Sequence, residues 1–225
     1  MSPIPTMCPS SLYKLDLLRA KKPYHNAAGD QIPGVTTVLS VISKPELITW
    51  ANREGLAGRD TTKQVQRAAD TGTGTHGRIE AFVRGQEVDS SDWPREVVVK
   101  SMNGHHRFVD WWEKSQYVLA ECELPLVSEM WQVGGTLDIL AHGRDGLDLI
   151  DIKPSKRIYA EHRMQASAYA AIYEEKFGVP INNVWIVRVG KEAEDDIETL
   201  PVGNRTVCVE AFRSALSLYK AMKRV

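Results

Sequence analysis

The chain has 225 residues, 43% of them hydrophobic and 25% charged, with 28 Lys and Arg against 29 Asp and Glu. This composition excludes disordered and collagen-like chains. A net charge of −1 leaves any nucleic-acid contact to a local basic surface rather than to overall charge. The three cysteines, Cys8, Cys122 and Cys208, stand far apart with no CxxC pair, which argues against a zinc ribbon and fits a reducing compartment.

The opening MSPIPTMCPSSLYKLDLL lacks a basic-then-apolar leader. The most apolar stretch, 35–42, is far too short for a bilayer. A cytoplasmic protein without membrane contact is expected. Residues 1–31 form a loop-rich arm with Pro3, Pro5, Pro9, Pro23 and a turn at 26–30. Lys14, Arg19, Lys21 and Lys22 make it basic, a solvated face or a phosphate contact. The β-branched run 35–42 reads as a strand or as a helix capped by Thr36 or Thr37.

Residues 32–115 are mainly helical. A helical pattern over 46–85 is interrupted by Thr71-Gly72-Thr73-Gly74-Thr75, and another covers 96–114, with Val99, Met102, His106 and Val109/Asp110 at helical spacing. From 116 onward short apolar runs at 117–126, 131–141 and 147–153 predict strands. A helix over 163–177 closed by Gly178 and Pro180, a strand at 184–189 and a helix over 207–224 complete the chain. This order predicts a single α/β domain with a central mixed β-sheet flanked by helices.

Within 134–156, two apolar strands flank the turn-prone His142-Gly143-Arg144-Asp145-Gly146, which predicts a hairpin. Asp151 and Lys153 alternate onto one strand face. A turn at Arg144-Asp145 sets Asp138 opposite Asp151, a turn at Asp145-Gly146 sets it opposite Lys153, and an odd-length loop turns it away. Two carboxylates and an ammonium inside apolar strands read either as an ion pair or as a hard-cation site, because burying three charges is costly without close pairing or a metal.

Asp138 followed by Asp151-Ile152-Lys153 resembles the PD-(D/E)XK nuclease motif. Gly135-Thr136-Leu137-Asp138, Gln165-Ala166-Ser167-Ala168-Tyr169 and the upstream Gly74-Thr75-His76 with Ile79-Glu80 resemble motifs of its RecB-like branch. Val35-Thr36-Thr37-Val38-Leu39 with Trp50-Ala51 is similar to the N-terminal region of phage and mitochondrial exonucleases of this kind.

The resemblance implies a restriction-endonuclease-like core and a metal-dependent DNA exonuclease. Asp138, Asp151, the Ile152 carbonyl and His76 would hold Mg²⁺ or Mn²⁺, and Asp138, Asp151 and Lys153 would carry the chemistry. Gln165 and Tyr169 would brace the site or touch DNA. Glu80 reads as a solvated helix residue or a support for His76.

Lys156, Arg157 and Arg163 follow the motif strand and are candidate phosphate contacts. Trp111, Trp112 and Trp131 are candidate stacking surfaces, whereas Trp185 reads as core. Three ill-spaced cysteines exclude the branch's iron–sulfur cluster. No Walker A motif follows Gly72-x-Gly74, so DNA ends, single strands or duplex opened by a partner are the expected substrates. The expected setting is phage or prophage recombination in a bacterial host, beside a single-strand annealing protein, with homo-oligomers open. The rivals are a structure-specific endonuclease of the same superfamily and a DNA-binding recombination subunit without activity.

Overall fold

A computed structural model describes residues 12–15, 17 and 23–225; Cys8 and most of the basic arm (Arg19, Lys21, Lys22) lie outside the described residues. In chain order the elements are β1 (Leu12–Lys14), β2 (Tyr24–His25), β3 (Gln31–Ile32), α1 (Val35–Leu39), α2 (Pro45–Leu56), α3 (Thr61–Val83), β4 (Glu87–Asp89) and α4 (Arg95–Ser115). They continue with β5 (Val118–Ser128), β6 (Val133–His142), β7 (Leu147–Lys153), α5 (Ala160–Phe177), β8 (Val184–Val189), β9 (Ile197–Pro201) and α6 (Arg205–Met222).

The open run 35–42 resolves into a helix. Val35, Val38 and Leu39 bury one side of α1 at helical spacing, but Gly34 is the N-cap and makes no side-chain cap bond; Thr36 and Thr37 stand exposed inside the helix instead of capping it. The Thr-Gly stretch 71–75 does not break α3. Thr71 and Thr75 donate their hydroxyls to the carbonyls of Arg67 and Thr71 at 2.7 and 2.8 Å, so neither polar group goes unpaired.

Gly74 and Gly104 mark close approach rather than a turn. A Cβ on Gly74 would lie 2.8 Å from the Trp93 ring, and one on Gly104 would lie 2.9 Å from Thr75 Cγ2. Each glycine costs a helix roughly 1 kcal/mol against alanine, offset here by the close packing of α3 on α4. The buried side of α4 is Val97, Ser101, Gly104 and Phe108, not the expected stripe, and Val99 is 51% exposed. Two of these four are small residues, which permit the close contact that larger apolar ones would block.

The sheet order is β5-β6-β7-β8-β9, antiparallel throughout except for the parallel β7–β8 pair joined through α5. This is the expected mixed sheet, with one added edge strand, β9. On one side, α1, α5 and α6 bury Val38, Tyr169, Ile172 and Phe212 against Leu137, Leu149 and Ile186. On the other, α3 and α4 bury Ile79 and Phe108 against Ile139, Ile150 and Val187. The result is a single α/β domain. Among the described residues no helix is long and apolar enough to cross a membrane.

Candidate active site

The β6–β7 ladder pairs His142 with Leu147 and runs to Ile139 opposite Ile150, and Gly143 N donates to Gly146 O at 2.9 Å. The turn is therefore Arg144-Asp145, the register that directs Asp138 toward Asp151. Regular pairing ends there: Ile152 N donates to Asp138 Oδ2 at 2.7 Å, so a carboxylate takes the place of a backbone acceptor where the strands part.

On the other flank, Cys122 pairs with Ile139 and Leu124 with Leu137. Glu123 lies between these pairs, across from Asp138, with φ of 50°. A left-handed glutamate costs about 1–3 kcal/mol and persists only where its surroundings impose it; the two flanking pairs do so.

His76 comes from α3. Its Nδ1 lies 3.6 Å from Asp138 Oδ1. His76, Glu123 and Asp138 each offer one ligand atom within 4.8 Å of the others. An imidazole with two carboxylates suits a divalent cation; carboxylates favour Mg²⁺ or Mn²⁺, and the imidazole tilts the set toward Mn²⁺.

Asp151 is not among these three. It is fully buried, neither carboxylate oxygen has a hydrogen-bonding partner, and Lys153 Nζ approaches Oδ2 to 2.5 Å as an ion pair. Burial above all pushes its carboxyl up to about 6; the Asp138 charge adds to the rise and the Lys153 ammonium opposes it. A buried carboxylate whose Oδ1 has no partner, beside the charge of Asp138, is the kind of feature a cation would satisfy, so the donor set fits the implied metal. Of Ile152, the amide is engaged by Asp138 and the side chain is buried.

His76, Glu123, Asp138 and Lys153 line an open cleft of about 900 Å³, together with Gln165 and Tyr169. Gln165 Nε2 donates to Tyr169 Oη at 2.9 Å. The Tyr169 ring lies where a Cβ on Gly135 would come within 2.3 Å of it, which explains the glycine on β6. Burial first, then the charge of Asp151, raises the Tyr169 phenol well above its usual range. His162, which sequence reasoning passed over, also lines the cleft; burial, reinforced by Lys153, lowers it to about 4, so it is neutral at pH 7.

The other expected contacts fall elsewhere. Lys156, Arg157 and Arg163 are exposed and line no part of this cleft, and Arg157 is ion-paired with Glu46 of α2. Trp111 and Trp112 pack with Phe108 and Tyr117 against the α3–α4 core, and Trp131 packs on Phe212, so the three rings are absorbed in packing rather than offered to the cleft. Trp185 is partly buried core, donating to buried Asp148 at 3.2 Å. Glu80 lines the cleft and pairs with Arg84 at 3.1 Å. Glu123 was invisible in the sequence: Glu121 and Glu123 alternate with apolar residues as on any solvent-facing strand.

The chain matches no family model and no curated protein. Solved structures similar to it include a protein of Eubacterium rectale provisionally named an exonuclease, with 11% identity over 68% of this chain and 66% of that one and a TM-score of 0.46. An alkaline exonuclease from Laribacter hongkongensis shares 14% identity over 66% of this chain and 82% of its own, with a TM-score of 0.33.

Proposed function

We propose that the chain is a divalent-metal-dependent nuclease that hydrolyses DNA phosphodiester bonds from an end. The observation that carries this is the convergence of His76, Glu123 and Asp138 beside the Lys153–Asp151 pair in an open cleft. The order of motifs from Gly74-Thr75-His76 to Tyr169 supports the PD-(D/E)XK reading of the same residues.

His76, Glu123 and Asp138 would hold Mn²⁺ or Mg²⁺, with Asp151 behind them. Such an ion supplies Lewis acidity toward a phosphate oxygen and a more acidic water. The chain's own groups do the rest. Asp151 anchors Lys153, whose ammonium reaches the cleft and donates hydrogen bonds to the attacking water or a phosphate oxygen, stabilising the negative charge that builds on the phosphoryl oxygens. The water oxygen bonds to phosphorus, the P–O3′ bond breaks, water gives up a proton and the departing 3′ oxygen takes one. Gln165 holds Tyr169, and Tyr169 holds β6 at Gly135, fixing the strand that carries Asp138.

A phage or prophage recombination setting, beside a single-strand annealing protein, fits an end-directed nuclease whose 225 residues contain no motor motif. End-labelled linear and closed circular DNA, incubated with Mn²⁺, Mg²⁺ or chelator, test the reading. Metal-dependent loss of the linear substrate with the circle intact is expected. Nicking of the circle would replace it with an endonuclease, and no cleavage with either metal would leave a binding subunit.

A further inference from the structure

A second cleft of about 550 Å³ adjoins the first and shares Thr36, Thr136 and Tyr169 with it. Its character differs sharply. The first cleft is ionic, with Lys44, Glu80, Glu123, Asp138, Lys153 and Glu161 in its walls. Among the described residues, the second is lined by no charged side chain at all. Its polar groups are hydroxyls and one amide: Tyr24, Thr36, Thr37, Thr136, Tyr219 and Gln31.

The surface is rigid. Tyr24 lies on Gly134, where a Cβ would come within 2.3 Å of the ring, and its hydroxyl is 3.0 Å from Thr136 Oγ1. Tyr169, the opposite marker of the boundary, is held by Gln165 and lies against Gly135. The Gly134-Gly135 pair thus lets two aromatic rings close on consecutive residues of the strand that carries Asp138. Thr36 and Thr37 are exposed on α1, and Tyr219 of α6 is half-buried, with Lys223 Nζ 5.8 Å from its ring centroid on one face, which leaves the other face for a base.

A nucleic-acid strand has the same alternation, a charged phosphate followed by an uncharged sugar and an aromatic base. A cleft of this volume falls within the range of small-molecule pockets, roughly 300–1,000 Å³, and admits one or two nucleosides but not a duplex. Hydroxyls and tyrosine faces suit a sugar and a stacked base without selecting a sequence.

We propose that the uncharged cleft between α1, β6 and α6 binds an unpaired nucleoside of the strand whose phosphate lies at Lys153, making single-stranded nucleic acid the substrate class of the site. This rests on the nuclease reading and deepens it. A base enters beside Tyr24 and Tyr219, its sugar meets the threonine hydroxyls, and the adjoining phosphate crosses Thr136 into the ionic cleft. Duplex DNA reaches the site only where its end is frayed or already resected.

The test is equilibrium binding of a fluorescent oligothymidylate and of a blunt hairpin duplex to the full chain, measured in chelator so that cleavage plays no part. Two uncharged variants probe the cleft: Thr37→Leu fills it from an exposed position, and Tyr219→Leu removes an aromatic face. The oligothymidylate is expected to bind more tightly than the hairpin. Tyr219→Leu should weaken it by about tenfold, the order expected when one base loses its stacking partner, and Thr37→Leu should weaken it in the same direction, with hairpin binding unmoved in both. Circular dichroism identifies a misfolded Tyr219→Leu, in which case Thr37→Leu decides.

Unchanged oligothymidylate binding in the folded variants, or a hairpin bound as tightly as the single strand, overturns the proposal. The nuclease reading fails differently. Wild-type protein that binds oligothymidylate in a variant-sensitive way, yet cleaves nothing with Mn²⁺ or Mg²⁺, sustains this cleft and refutes hydrolysis.

Discussion

Replacing Asp151 with asparagine removes a charge that the metal-free protein buries at a cost. The group's carboxyl is pushed up to about 6 from an ordinary 3.8, chiefly by burial. A raised carboxyl stabilises the fold relative to the ionised state at low pH, and that stability drains away as pH climbs through the folded value. At 1.36 kcal/mol per unit the full effect is about 3 kcal/mol, of which about 2 kcal/mol falls between pH 4 and 7.5.

The assay is urea unfolding in chelator at pH 4, 5, 6 and 7.5 for wild-type protein and Asp151→Asn. Groups remote from Asp151 are common to both proteins and cancel, so the difference between the two curves reports Asp151 together with its coupling to Lys153, Asp138 and His76. The variant should gain on wild type steadily with pH, by about 2 kcal/mol at pH 7.5 relative to pH 4. Lys153, whose side chain is 13% exposed, loses its partner in the variant and can turn toward the cleft, which lowers the absolute gain but not its slope with pH. Saturating Mn²⁺ should stabilise both proteins, because His76, Glu123 and Asp138 remain in the variant, and wild type more strongly. Parallel pH curves for the two proteins would refute the buried-carboxylate account.

Glu123→Gln keeps the shape of the third ligand and removes its charge, so Mn²⁺ affinity by calorimetry should fall about tenfold or more, while Glu80→Gln should leave it nearly unchanged. Gly135→Ala places a Cβ 2.3 Å from the buried Tyr169 ring and should cost about 1–3 kcal/mol in urea unfolding. Gly72→Ala, in the interior of α3 with nothing within 4 Å of the added carbon, should instead stabilise by about 1 kcal/mol.

The sequence carried the second half of the fold further than the first. The runs 131–141 and 147–153 announce themselves as short apolar stretches around the turn-prone 142–146, and of the two even registers and an odd-length loop that the turn left open, the structure adopts Arg144-Asp145. Gly178, with φ of 65°, closes α5 as a left-handed cap only glycine takes readily. The first half misled because its glycines and threonines serve contact rather than turning. The Thr-Gly stretch around Gly74 read as an interruption, yet Gly74 is where α3 meets Trp93, and Gly104 is where α4 meets Thr75 of α3.

At the site, Asp138, Asp151 and Lys153 were legible as charges inside otherwise apolar strands, whereas His76 entered only through the resemblance of Gly74-Thr75-His76 to a family motif. Glu123 was not, since its role depends on a local φ of 50° opposite Asp138, a property of pairing and not of composition. The tryptophans failed for the opposite reason: Trp111 and Trp112 face a core built jointly with Phe108 and Tyr117, and no one-dimensional pattern distinguishes a ring that closes a core from one that awaits a base.

The most direct test of hydrolysis at this site is Mn²⁺-dependent release of nucleotides from end-labelled linear DNA by wild-type protein and by Lys153→Ala, with folding and Mn²⁺ binding checked in both. Release by wild type, absent with chelator and reduced at least about a thousandfold in the variant, a barrier rise of roughly 4 kcal/mol, is the predicted result. A folded, Mn²⁺-binding Lys153→Ala protein that digests DNA at the wild-type rate would contradict it.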